Sequence, residues 1–329
     1  MRKFRQGLLA ALAALFAFAL LAHAGAAHAQ AYPDRPIKII VGYSAGGTGD
    51  TIARMIANNW SEAFGQPVVV ENRPGAGSTI AAAAVARSPA DGYTVLLSTS
   101  SDSTTSPLRM GDKAQYTMRD LTPVSLLVLV PSVLTVPAKS AFKTPGDLIR
   151  YARANPGKLS YASFGNGSSA HVAAEMFKTM TGIEATHVPY KGSPDAVMAL
   201  VAGDIDFFFD TLTSAAPQSK AGKSKILAVT TASRVPLSPE IPTMQEEGVK
   251  EFLSGSFIGI SAPAGTPAPV VEKLQNQTIK MARIPAVRQK LVDMGMVVHG
   301  STSSEYRTFI VDETARIEKL IKDGKLSLQ

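Results

Sequence analysis

Ile37-Lys38-Ile39-Ile40-Val41-Gly42-Tyr43-Ser44-Ala45-Gly46-Gly47-Thr48-Gly49-Asp50 is an apolar run of strand length that empties into a loop of small residues. A helix-patterned segment follows directly. The glycines let the backbone take angles closed to other residues and let a ligand approach the main chain. The first N–H groups of the helix have no intrahelical partners, so the loop makes an anion site.

Working outward, the apolar periods predict a helix at about 49–64, with Ile52, Met55, Ile56 and Trp60 on one face, then a strand at 68–70. An Ala-rich helix running to about Arg87 and a strand at 93–97 complete the first set. The second half repeats the order. A strand at 159–162 enters Ser163-Phe164-Gly165-Asn166-Gly167-Ser168, followed by a helix at about 169–180 and a strand at 185–188. Pro189-Tyr190-Lys191-Gly192, a helix at 194–202 and a strand at 205–209 close the repeat. Strands alternating with helices argue a parallel α/β sheet, and the repetition argues two similar lobes. Val124–Val136, apolar and broken by Pro131, is long enough to cross between them. Strands at 226–230 and 257–261 follow, with C-terminal helices at about 267–282, 285–294 and 303–322. These helices are expected to return to the first lobe.

Residues 1–29 carry the three-part pattern of a secretory signal peptide: basic Arg2, Lys3 and Arg5, an apolar stretch from Leu8 to Leu21, and Ala27-His28-Ala29 before Gln30. The alternative is an uncleaved anchor, but the stretch is shorter than the ~20 residues a spanning helix needs. Without the leader the net charge falls from +7 to +4, and the basic residues are scattered. That balance does not suggest a nucleic-acid partner. The chain has no cysteine, which excludes thiolate catalysis and Cys-type zinc sites. His171, His187 and His299 remain after cleavage and show no metal-ligand spacing. No metal or cofactor is expected.

Two motifs invite enzymatic readings. Gly42-Tyr43-Ser44-Ala45-Gly46 matches the nucleophile elbow G-x-S-x-G, which would make Ser44 the nucleophile of an exported serine hydrolase. Only about a dozen mature residues precede it to build an oxyanion hole, and no histidine has an evident acid partner. Gly165-Asn166-Gly167-Ser168-Ser169-Ala170 matches a dinucleotide fingerprint, with Glu184 downstream. Nicotinamide cofactors are rarely available to exported proteins. Both loops retain their physical content as anion seats. Asp50 suits the first helical turn as a dipole charge or as a ligand contact. His171, three residues into its helix, is a core histidine or a donor to a bound carboxylate. Lys191 is a surface lysine by default, and Asp210 falls at a strand end, within reach of the cleft.

The chain resembles the Bug (TctC-like) family, the periplasmic substrate-binding proteins of tripartite tricarboxylate transporters. The resemblance is carried by Tyr32-Pro33, Ala45-Gly46-Gly47 with Asp50, Val70-Glu71-Asn72-Arg73-Pro74-Gly75-Ala76-Gly77 and Asp91-Gly92-Tyr93-Thr94. Further along it rests on Ser163-x-Gly165-x-Gly167-Ser168-x-x-His171, Val188-Pro189-Tyr190-Lys191-Gly192, Ile241-Pro242-Thr243-Met244 and Ala262-Pro263-Ala264-Gly265-Thr266-Pro267. It implies a two-lobe periplasmic-binding-protein-like fold of type II, with lobe 1 at 30–127 plus about 250–329 and lobe 2 at about 128–249. It also implies a small carboxylate ligand in the cleft, transporter membrane subunits as partners, a periplasmic location and a monomer. Carried over, the ligand contacts are Tyr43, Ser44, Ala45, Gly46, Gly47 and Asp50 from the first loop. Ser163, Asn166, Gly167, Ser168 and His171 come from the second, and Tyr190, Lys191 and Gly192 from the third. Ser98 and Thr99, read as lying just past a strand, are added as donors, and Asp210 as a cleft residue. Gly42 and Ser44 depart from the family's prolines, Gly49 from its hydroxyl residue, Thr79 from its Asn and Phe257 from its Trp. These changes bear on loop mobility and ligand choice.

Overall fold

β1 (Ile37–Val41) is buried at every residue but Lys38, as its unbroken apolar run requires of a strand covered on both faces. The computed structural model describes residues 32–328 except Leu237, and the signal peptide expected at 1–29 lies outside the described residues. The compact body begins at Arg35.

α1 (Thr48–Phe64) buries Ile52, Ala53, Ile56, Ala57 and Trp60 on one face and stops at Gly65, whose φ of 65° is the left-handed cap conformation. β2 (Val68–Asn72) and β3 (Thr94–Thr99) flank β1 in parallel, with α2 (Thr79–Ala86) between them in sequence. Ser98 and Thr99 are therefore the last two residues of β3 rather than residues beyond it. The chain then runs through a wide helical turn at Ser101–Thr105 into α3 (Ser106–Met110). Every residue from Ser98 to Ser106 is buried, although all nine are polar.

β4 (Leu121–Pro137) is one strand of 17 residues serving two sheet regions. Its first part pairs antiparallel with β9 (Gly255–Pro263), which in turn pairs with β3. From Ser132 onward β4 pairs instead with β7 (Phe207–Thr211) and β8 (Ser224–Val229). Pro131 interrupts nothing. It sits at the handover, opposite Gly255, and the N–H it lacks falls where one set of partners ends and the next begins.

The second region comprises α4 (Pro145–Ala154), β5 (Leu159–Ser163), α5 (Ser169–Thr181), β6 (Ala185–Pro189), α6 (Ser193–Ala202), β7 and α7 (Leu212–Lys220). β5 is parallel to both β6 and β7. The sheet order is β2-β1-β3-β9-β4-β7-β5-β6. α8 (Ala268–Arg283), α9 (Pro285–Asp293), β10 (Val297–Val298) and α10 (Ser303–Lys322) end the fold. α10 places Tyr306 and Ile310 against Leu126 and Phe257 of the first region. Its Ile317 joins the cluster of Leu134, Phe177, Phe207 and Phe209 in the second.

α4 starts on a capping box: the Thr144 hydroxyl accepts from the Asp147 N–H, and the Asp147 carboxylate accepts from the Thr144 N–H. Thr144→Ala should cost about 1 kcal/mol in urea unfolding. An unchanged midpoint would show that packing alone holds this helix.

Candidate functional site

Four helices direct their N-termini into one cavity between the two sheet regions. Gly47, Thr48 and Gly49 open α1, Ser169 opens α5, Ser193 opens α6, and Thr211 caps α7. Tyr43, Thr99, Val130, Phe164, Ser256 and Ile258 complete a lining around about 50 Å³ of space. The lining combines the apolar Val130, Phe164 and Ile258 with hydroxyls and helix starts. No Lys or Arg is in the lining.

The first wall is braced from behind. Tyr43 Oη and Thr99 Oγ1 are 3.1 Å apart, and Thr99 Oγ1 donates to Asp102 Oδ2 at 2.7 Å. Asp102 also accepts from Ser98 Oγ, Ser103 Oγ and the Thr99 N–H. Burial raises its carboxyl in spite of these donors. Burial, then Asp102, also raises the Tyr43 phenol, which stays protonated. Asp50 does not line the cavity. It accepts from the Gly46 N–H at 2.9 Å and pairs with Arg54 Nε at 2.9 Å, so it ties the loop to α1. Partial burial pushes Asp50 up, but the Arg54 and Gly46 bonds outweigh that and hold it below the usual carboxylate range. Ala45 and Gly46 are exposed at the loop tip.

The second wall is braced by histidines. Ser163 Oγ is 2.6 Å from His187 Nε2 and accepts from the Gly165 N–H. His171 does not present a donor to the cavity. Its Nδ1 accepts from the Gly167 N–H at 3.2 Å, while its backbone N–H donates to Ser168 Oγ. Burial lowers both rings, His187 to about 4, so both stay neutral at neutral pH. Asn166 and Lys191 are exposed. Tyr190 hydrogen-bonds Ser163 through its backbone. Asp210 is buried behind the lining, and its Oδ1 accepts from Ser193 Oγ at 3.0 Å and the Thr211 N–H at 2.7 Å. Burial pushes its carboxyl up to about 7.

The walls also touch each other. Thr48 Oγ1 and Thr211 Oγ1 are 2.9 Å apart, and Ser44 Oγ donates to Asp195 Oδ2 at 3.2 Å. The Ser44 N–H donates to the Lys191 carbonyl, beside Gly192. Ser101 and Thr105 both donate to the Gly167 carbonyl. Ser44 thus has a carboxylate partner, and none of its hydrogen bonds reaches a histidine.

The sequence model of the tripartite tricarboxylate transporter family receptor, TctC, matches residues 52–326. The chain belongs to this family. A UPF0065 protein in the tcbD-tcbE intergenic region of Pseudomonas sp. (strain P51) is 38% identical over 305 residues, spanning 91% of this chain and 89% of that protein. R. palustris Rpa4515 with adipate matches at a TM-score of 0.86 and 36% identity over 90% of this chain and 99% of its own. The periplasmic binding protein BugD matches at 0.85 and 31%, over 91% and 100%. MatC (Rpa3494) from Rhodopseudomonas palustris with bound malate matches at 0.84 and 29%, over 88% and 100%. These neighbours establish the two-lobe α/β binding-protein fold, and with the family they make this TctC receptor a solute-binding protein.

Of the sequence-derived site residues in this TctC receptor, Tyr43, Gly47 and Thr99 line the cavity. Ser163, Ser168, His171, Asp50, Ser98 and Asp210 stand behind it and hold loops or lining groups in place. Thr48, Gly49, Ser169, Ser193 and Thr211 escaped the reading, although each sits at a helix start and could have been found from that position. Val130, Ser256 and Ile258 lie on strands β4 and β9, where nothing in the sequence marks them. Among the described residues no group of three or more His, Cys, Asp or Glu is placed to hold a metal ion, and no helix is long and apolar enough to cross a membrane.

Proposed function

We propose that this TctC receptor captures a small carboxylate in the periplasm and delivers it to the membrane subunits of a tripartite tricarboxylate transporter. The observation that carries this reading is the convergence of four helix N-termini and a ring of hydroxyls on a cavity without a basic side chain. Each exposed helix end favours an anion by about 0.3–1 kcal/mol, and more once water is excluded. In this reading lobe 1 is residues 30–127 plus about 250–329, lobe 2 is about 128–249, and the leader is removed on export of a monomer. Tyr43, Thr48, Thr99, Ser193 and Thr211 offer hydroxyls to the ligand, and Gly47 and Gly49 offer backbone N–H groups. The remaining residues of the three loops shape the jaws. Closure is a population shift toward the form in which both jaws touch the ligand. Adipate in Rpa4515 and malate in MatC support the ligand class.

The test is a thermal-shift screen of mature protein against mono-, di- and tricarboxylates. A ligand at about 100 times its Kd should stabilise by about 2.7 kcal/mol. Silence across the whole panel would sink the anion-cleft reading. No observation favours hydrolysis at Ser44, and a fluorophosphonate probe should leave it unlabelled.

A further inference from the structure

Asp210 has one carboxylate oxygen with two donors and one with none. Oδ1 takes the Ser193 hydroxyl and the Thr211 N–H, whereas Oδ2 is buried without a hydrogen-bond partner. The residue is 1% exposed, and both groups it holds line the cavity. Accepting from two donors on one oxygen while leaving the other empty suits a carboxylic acid whose proton resides on the empty oxygen.

Among the described residues none supplies a counter-charge to Asp210. On β7 the neighbour is the Thr211 amide, α6 contributes the Ser193 hydroxyl and α7 contributes Ser214. β4 places Val133 opposite Asp210. Asp195, the acid on α6, is turned to Ser44. Burial raises the Asp210 carboxyl, and the Ser214, Thr211 and Ser193 donors lower it without overcoming burial. A ligand carboxylate resting on the N-termini of α6 and α7 would lie one hydroxyl away from this acid. Two carboxylates so close in a water-excluded site do not both stay ionised.

We infer that carboxylate capture by this TctC receptor is linked to uptake of one proton, held on Asp210 Oδ2. This rests on the carboxylate reading above and adds a condition to it: the cleft takes a carboxylate and a proton together. Binding raises the proton affinity of Asp210, so by linkage the affinity for carboxylate falls as pH rises past the point where the empty cleft loses that proton. His171 and His187 are already neutral at neutral pH and bring no competing titration there.

The experiment is isothermal titration calorimetry with the best binder from a panel of adipate, malate, citrate and benzoate, over about pH 6 to 8.5. At about pH 8 it is repeated in phosphate and in Tris, whose ionisation heats differ. In the wild type, Kd should be level at the acid end and rise by up to about tenfold per pH unit above neutrality, and the two buffers should report uptake approaching one proton. Asp210→Asn, which cannot titrate, should lose both the slope and the buffer difference, whatever its absolute affinity. A flat wild-type profile with equal heats in the two buffers overturns the proposal, and so does an Asp210→Asn protein that keeps the slope. Should the variant fail to fold, the two-buffer measurement on wild type decides alone. Absence of binding by the whole panel at every pH removes the carboxylate reading and this proposal with it.

Discussion

Gly77→Ala should weaken carboxylate binding by about 100-fold or more, equivalent to about 2.7 kcal/mol, while the unliganded protein stays folded. Gly77 lies at φ 61° in a run of left-handed residues from Gly75 to Ser78. A Cβ there would stand 2.4 Å from the carbonyl oxygen of Asn166, in the loop across the cleft. That neighbour is backbone, so no rotamer change relieves the overlap and the two loops must part. The conformation itself costs an alanine roughly 1–2 kcal/mol. Gly182→Ala separates the two effects, because Gly182 has φ 65° and nothing within 4 Å of its would-be Cβ. Both variants should lose similar stability in urea, and only Gly77→Ala should lose affinity. Equal affinities would mean that the approach of these loops is not part of the bound state.

The largest loss of stability is expected from Phe209→Ala. Phe209 is fully buried on β7, edge-on to Phe177 at 5.5 Å and stacked with Phe252 at 5.6 Å. Removing the ring takes away its transfer energy and leaves a cavity that three neighbouring aromatics cannot fill, a cost of about 3–5 kcal/mol. At roughly 2–4 °C per kcal/mol for a domain of 150–250 residues, the melting temperature should drop by about 10 °C. A urea-midpoint change worth less than about 1 kcal/mol would show that the cluster collapses into the space.

Where chemistry repeats with a period, the sequence was readable. Ile37–Val41, Ile52 to Trp60 and the second set from Leu159 to Phe209 lie in the predicted elements within a residue or two at most boundaries. Ser98-Thr99-Ser100-Ser101-Asp102-Ser103-Thr104-Thr105-Ser106 was not. Its composition is that of a solvated loop, yet it is buried because its polar groups satisfy one another and the Gly167 carbonyl. Pro131 looked like a break because a proline in mid-strand loses a ladder bond, and only the change of partners on β4 makes it harmless. The site was legible as loops rather than as contacts. Periodicity places the helix starts within a residue of Thr48 and Ser193, but it cannot tell whether Asp50 faces a ligand or the Arg54 guanidinium. α4 had its own signal in Thr144-Pro145-Gly146-Asp147, a capping box with proline at the first helical position.

The place of β9 carries a consequence for how the chain matures. It fills the slot between β3 and β4, yet it begins at Gly255, after every other strand of both sheet regions except β10. The second region draws its strands from a nearly contiguous stretch, from Ser132 to Val229, and has its partners as soon as that stretch is free. The first region waits with β3 and β4 unbridged until the last quarter of the chain arrives. Contacts across such long separations form slowly and leave strand edges open meanwhile. The half of the molecule that begins first is thus the half that finishes last, and its open edges are where the folding chain most needs protection.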